Sequence, residues 1–266
     1  GKIILKGPKD LLDQTINTQP AIFLISYSIF EVIKRETTFN FNNAKFFAGH
    51  SLGEYSALAC SGSLTFEQTL KLLKSRGSAM QNAVPKGQGG MMAILGSKVD
   101  KIYEILDLNK NKFECFVAND NSEGQTVVSG NNKDLDFFSQ ELKKEGIKNI
   151  KLPVSAPFHC KLMNHATEIM KKEIMNSNFI SPNNSIISNV TAKPTQDPAE
   201  IKNLLIKQIE KPVRWRESVI NMINSKVENF IEIGPGKVLS GIVKRIDRNV
   251  TINQVNGIED ISILSK

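Results

Sequence analysis

Helix and strand signals alternate along almost the whole chain, and that alternation constrains the fold more than any other feature. Alternating elements of this kind belong to α/β proteins, in which helices cover sheets built largely of parallel strands. Gln19 to Glu36 carries apolar residues at helical spacing, with Pro20 suited to a first turn. Lys45 to Ala48 is a short buried strand that ends at Gly49. Thr65-Phe66-Glu67-Gln68 has the spacing of a capping box and opens a helix to about Asn82. Between Pro85 and Pro153 the expected order is strand (91–95), helix (97–108), strand (113–119), strand (126–130), helix (132–145), strand (147–152). That βαββαβ order is the ferredoxin-like arrangement. It reads as a small domain of residues 86–153 inserted into a larger one formed by 1–85 and 154–266. Helices are then expected at 160–175, 199–209, 216–224 and 237–246, with strands at 185–188 and 230–233.

Composition removes several classes of function. The 266 residues are 40% hydrophobic and 23% charged, an ordinary globular balance rather than that of a disordered chain. Cys60, Cys115 and Cys160 form neither a CxxC pair nor a Cys/His cluster, so no zinc site, redox pair or disulfide scaffold is indicated, and a reducing cytoplasmic compartment fits. The apolar run from Ala21 to Ile33 is interrupted by Ser26, Ser28 and Glu31 and is too short to span a bilayer, so no membrane partner is expected. The net charge of +7 raises nucleic acid as a partner, but no basic stripe interleaved with aromatic residues is present. Lys207, Lys211, Arg214, Lys244, Arg245 and Arg248 are equally well read as a docking face for an acidic protein or as a solvated surface. Gly234-Pro235-Gly236-Lys237 lacks the spacing of a phosphate loop and reads as a strand-to-helix turn.

Chemistry enters at Gly49-His50-Ser51-Leu52-Gly53, a G-x-S-x-G sequence between a strand and a helix. As a bare pattern it is weak; its position gives it weight. The strand-to-helix turn is tight enough that Gly49 and Gly53 are expected to permit close approach of backbone. Ser51 then stands at the corner with its hydroxyl exposed at a helix N-terminus, and the Leu52 N–H faces an oxyanion. A serine nucleophile needs a base, and the chain has three histidines. His50 adjoins the serine and points away from it, and His165 falls within a helix. His159, at a loop-to-helix junction after the inserted segment, is left as the base. No acidic residue stands out as a third member, so a backbone carbonyl is the alternative for orienting the imidazole.

The stretch Gly49 to Leu58 (GHSLGEYSAL) resembles the elbow of the malonyl-CoA:acyl carrier protein transacylases. Further similarities follow in order: Thr18-Gln19-Pro20-Ala21, Arg76-Gly77, Met80 to Pro85, Pro153 to Cys160, Asn189-Val190, Pro212 to Trp215 and Glu232 to Leu239. The resemblance extends over essentially the whole chain. It implies an α/β-hydrolase-like, parallel-sheet large domain with the inserted ferredoxin-like domain, and a ping-pong transfer of malonyl from malonyl-CoA to the phosphopantetheine thiol of acyl carrier protein. It implies that Ser51 is acylated with His159 as acid and base, that the Gln208 carbonyl orients His159, and that Arg76 binds the malonyl carboxylate. His50, Asn119, Asn121 and Phe158 are placed in the substrate cleft. No bound cofactor is called for, and a monomer is expected. Family members begin with a strand and a Gly-Gln-Gly-Ser-Gln segment that supplies a second oxyanion donor. This chain starts with Gly1-Lys2-Ile3-Ile4 and has no such segment, so the natural protein is expected to be longer. Two other functions stay open at this point: a serine esterase on the α/β-hydrolase plan, and a fragment that binds carrier protein without turnover.

Overall fold

The computed structural model describes residues 1–154 and 156–264; Ser155, within the Pro153 to Cys160 stretch, lies outside them. Two short helices open the chain, α1 (Lys2–Lys6) and α2 (Lys9–Leu12), followed by the long α3 (Thr15–Glu36). The α3 helix starts four residues before the predicted point, so Pro20 lies inside it rather than in its first turn. There the proline withdraws one backbone donor from the helix. By length and composition alone α3 could cross a bilayer, a longer apolar element than the sequence run suggested. In this fold Phe23, Ile29, Phe30 and Ile33 are buried against other elements of the chain.

Strand β1 (Phe46–Phe47) leads through the Ser51 turn into α4 (Leu52–Cys60), and α5 (Phe66–Gln81) follows. The capping box at Thr65 and Gln68 is present in full, with both reciprocal hydrogen bonds. Such a cap contributes about 1 kcal/mol to the helix it starts. Then come β2 (Gly89–Leu95), α6 (Val99–Leu108), β3 (Cys115–Ser122), β4 (Gln125–Asn131), α7 (Asn132–Lys144) and β5 (Lys148–Lys151). These four strands form an antiparallel sheet in the order β3-β4-β2-β5. Met92, Ile94, Ile102, Ile105, Phe138 and Leu142 bury the apolar sides of α6 and α7 against it in a separate core.

The remainder comprises α8 (Asn164–Asn176), β6 (Ser185–Ile187), β7 (Pro194–Thr195), α9 (Pro198–Gln208), α10 (Trp215–Asn224), β8 (Asn229–Ile233), α11 (Val238–Ile246) and β9 (Thr251–Val255). The helix expected from Cys160 is instead a 3-10 turn at Lys161–Met163 that runs into α8. Among the described residues, the parallel sheet expected in the larger part is two sheets. Strands β1, β6 and β7 form one, parallel at β1–β6 and antiparallel at β6–β7, while β8 and β9 form a separate parallel pair. The fold is therefore α/β with mixed sheets. Helices α1 and α2 and strands β7 and β9 have no counterpart in the sequence reading, because such short elements are decided by what they pack against rather than by their own periodicity.

Candidate active site

The turn between β1 and α4 is possible because position 49 is glycine. A Cβ there would lie 2.0 Å from the Gly53 carbonyl oxygen, far inside contact distance. At Gly53 the same addition would meet nothing within 4 Å, so the expected steric need at that position is absent. Ser51 takes φ 53° and ψ −108°, a costly conformation for a non-glycine residue. Its side chain makes no capping bond to α4, which leaves the hydroxyl available to groups outside the helix. The conformation is held by Asn189, whose Oδ1 accepts the Ser51 N–H at 2.7 Å while its Nδ2 donates to the Gly49 carbonyl at 2.8 Å. Leu52 is the first residue of α4, where helix amides have no intrahelical acceptor and remain available to an anion.

His159 comes to the serine from the loop after β5. Its Nε2 is 2.8 Å from Ser51 Oγ and its Nδ1 is 2.7 Å from the Gln208 carbonyl oxygen. A carbonyl only accepts, so Nδ1 carries the proton and Nε2 turns its lone pair to the serine hydroxyl. His159 also has positive φ, 59°, and is 3% exposed. Burial, reinforced by the nearby Arg76 charge, lowers its pKa to about 3, so the imidazole is neutral. His165, by contrast, lies exposed on α8.

Arg76 is fully buried on α5 with its guanidinium against the Ser51 hydroxyl. Nη2 donates to Ser51 Oγ at 3.1 Å and to Gln208 Oε1 at 2.9 Å, and Nη1 donates to Gln19 Oε1 at 2.7 Å. The Tyr55 ring lies 5.5 Å from the guanidinium carbon. Nε has no hydrogen-bond partner among the described residues. Among the described residues, no carboxylate forms an ion pair with this cation. Burying an arginine without an anion costs several kcal/mol, which a bound carboxylate would offset. Gly77 makes the approach possible, since a Cβ there would meet the Thr15 carbonyl oxygen at 2.7 Å. The closeness of α5 to the start of α3 is what brings Gln19 to Arg76.

The four-stranded sheet reaches the same place. The Asp120 N–H donates to the Val213 carbonyl and the Val213 N–H to the Ala118 carbonyl, extending β3 into the 213 segment. Arg216 grips Asp120 with Nε and Nη2 at 2.8–3.0 Å. Asn121 Oδ1 thereby lies 2.9 Å from His50 Nε2, and His50 leans on Trp215. Burial holds the His50 pKa below its usual value. Asn119 is half-buried, and its Oδ1 has no hydrogen-bond partner among the described residues. Phe158 packs at the junction of the sheet with the large core, its carbonyl accepting from Ser129 Oγ at 2.5 Å.

Ser51, Leu52, Arg76, His159 and Gln208 are thus brought together, with His50, Asn119, Asn121 and Phe158 around them. Sequence reasoning gave no role to Gln19, Glu54 or Asn189. Each stands inside a stretch that carries the family resemblance, but nothing in its immediate sequence neighbours marks it for the site.

Residues 1–264 match the family described as acyl transferase domain. A malonyl CoA-acyl carrier protein transacylase of Bacillus subtilis is 38% identical over 263 residues, 98% of this chain and 82% of the relative. The chain belongs to the malonyl CoA-acyl carrier protein transacylases of the acyl transferase family. A solved acyl-carrier-protein S-malonyltransferase from Bartonella henselae superposes with a TM-score of 0.95 at 38% identity, covering 98% of this chain and 84% of that one. A malonyl-transacylase solved in complex with a type II PKS acyl-carrier protein superposes with a TM-score of 0.95 at 33% identity, covering 99% and 85%. Both transacylase structures support the α/β architecture described above.

Proposed function

We propose that the chain transfers malonyl from malonyl-CoA to acyl carrier protein through a covalent malonyl ester on Ser51. The observation that carries this reading is Arg76, a buried cation that forms no ion pair with a carboxylate among the described residues and lies 3.1 Å from the Ser51 hydroxyl oxygen. A planar guanidinium so placed suits an acyl group that ends in a carboxylate.

His159 Nε2 takes the proton of Ser51 as Oγ attacks the thioester carbonyl carbon. The Leu52 N–H faces the oxygen that becomes negative. When the C–S bond breaks, the CoA thiolate leaves with the proton from Nε2, and the malonyl ester remains. The phosphopantetheine thiol of the carrier then gives its proton to Nε2 and attacks the ester carbonyl. Ser51 leaves, recovers the proton, and the site is restored. Gln208 keeps the imidazole in the one tautomer that serves both halves. His50, Asn119, Asn121 and Phe158 line the approach of the acyl and pantetheine groups, a role supported by their position around Ser51.

We read residues 86–153 as an inserted domain and 1–85 with 154–266 as the catalytic one; the separate core of the four-stranded sheet supports that division. Lys207, Lys211, Lys244, Arg245 and Arg248 are exposed, which supports a docking face for an acidic carrier, whereas Arg214 is half-buried and paired with Glu217. The three cysteines are free, in keeping with a cytoplasmic protein.

Selectivity between malonyl-CoA and acetyl-CoA tests the reading. Arg76→Ala is expected to lower kcat/KM for malonyl-CoA by about 10²-fold or more, the cost of losing a charge-assisted contact, and to bring the malonyl:acetyl ratio toward one. An unchanged ratio would refute the carboxylate role.

A further inference from the structure

Glu54 lies on the first turn of α4, three residues after Ser51, and is 3% exposed. No step of the acyl transfer uses it. Its Oε2 accepts two hydrogen bonds, from the Asn189 N–H at 3.1 Å and from Gln208 Nε2 at 2.8 Å. The second of these decides an orientation. Oε2 already accepts the Asn189 N–H and so faces Gln208 as an acceptor, any proton of the carboxyl residing on the other oxygen; the Gln208 amide must therefore turn its NH2 toward Glu54. That NH2 also lies 2.9 Å from the Ser51 carbonyl oxygen, another acceptor. With the NH2 so committed, the amide oxygen faces Arg76 Nη2 at 2.9 Å. A flipped amide would set oxygen against oxygen at Glu54 and Ser51, and N–H against N–H at Arg76.

We propose that Glu54 is a positioning residue for acyl-group selectivity, fixing through the Gln208 side chain the guanidinium of Arg76 that receives the substrate carboxylate. The inference rests on the carboxylate role proposed above for Arg76. It divides the work of Gln208 between separate atoms, the backbone carbonyl holding His159 and the side-chain amide holding Arg76. Selectivity and proton transfer are therefore separable. A role confined to supporting the elbow, through the Asn189 N–H, would weaken transfer of every acyl group alike.

Steady-state kinetics of the full chain with malonyl-CoA and acetyl-CoA tests this, with circular dichroism to confirm folding. Glu54→Met is of similar length and offers no oxygen, so the Gln208 NH2 loses this acceptor. The malonyl:acetyl ratio of kcat/KM should fall about tenfold, the weight of one misdirected hydrogen bond to a charged group, chiefly as a higher KM for malonyl-CoA. Equal losses for both substrates overturn the proposal. Gln208→Met retains the backbone carbonyl and should lower the ratio as well. Combining it with Glu54→Met should lower the ratio no further, whereas additive losses contradict action through Gln208. Should Glu54→Met fail to fold, an unchanged ratio in Gln208→Met alone overturns the proposal. Arg76→Ala keeps the two readings apart. If it lowers the ratio while Glu54→Met does not, only the role of Glu54 falls; if it leaves the ratio unchanged, the carboxylate reading falls first.

Discussion

Ser51 Oγ and His159 Nε2 stand 2.8 Å apart, and the second ring nitrogen of His159 is occupied by the backbone of Gln208 rather than by a carboxylate. The Arg76 cation disfavours protonation of the ring.

Removing the base should leave binding and lose chemistry. His159→Ala is expected to lower kcat for malonyl transfer by about 10²–10⁴-fold, the usual worth of a general base. Malonyl-CoA affinity, measured by titration calorimetry, should change little, since His159 is not the carboxylate partner. A kcat within a few-fold of the parent would remove His159 from the reaction.

The two glycines of the elbow should behave differently. Gly49→Ala puts a methyl group 2.0 Å from a backbone carbonyl and should cost at least about 3 kcal/mol or abolish folding. Gly53→Ala meets no neighbour and gains helix propensity at the start of α4, so its effect on stability should be neutral to about +1 kcal/mol. Urea denaturation of both variants checks the contrast, and equal losses would contradict the described geometry.

The buried ionisable groups set a pH window for stability. The His159 pKa is lowered to about 3 in the fold from an ordinary value of 6.5, so the unfolded chain binds more protons between those values. The contribution of the neutral ring is full above pH 6.5 and is lost as pH falls toward 3. Glu54 has the opposite sign. Burial raises its carboxyl from 4.5 to about 7, so its contribution is present below pH 4.5 and lost as pH rises through 7. His159→Gln should therefore weaken the loss of stability between pH 6.5 and 4, read from urea midpoints, and an identical pH profile would contradict the lowered pKa.

How much of this was legible in the sequence depends on how local the cause is. The capping box at Thr65 and Gln68 and the strand-turn-helix around Ser51 were readable, because the residues that form them are neighbours in the chain. So was the order of elements from β2 to β5, whose apolar spacing shows each one by itself. The split of the larger sheet into two was not, since strand pairing between segments as distant as Phe46 and Ser185 leaves no local trace. The side-chain network behind Ser51 was also hidden. Glu54, Asn189 and Gln208 are ordinary polar residues until the fold buries them together, and Gly77 shows its purpose only against the backbone of Thr15. The roles proposed for Arg76 and for the Gln208 carbonyl rest on family resemblance in the sequence, since a single arginine on a helix is by itself more often a solvated one.

The covalent intermediate tests the account most directly. Intact-mass spectrometry of the chain after brief exposure to malonyl-CoA, without carrier protein, should show one malonyl adduct. Peptide mapping should place it on Ser51, and it should discharge when holo acyl carrier protein is added. The adduct should be absent in Ser51→Ala. An adduct that persists in that variant, or an active parent that transfers malonyl without ever carrying it, would contradict the account.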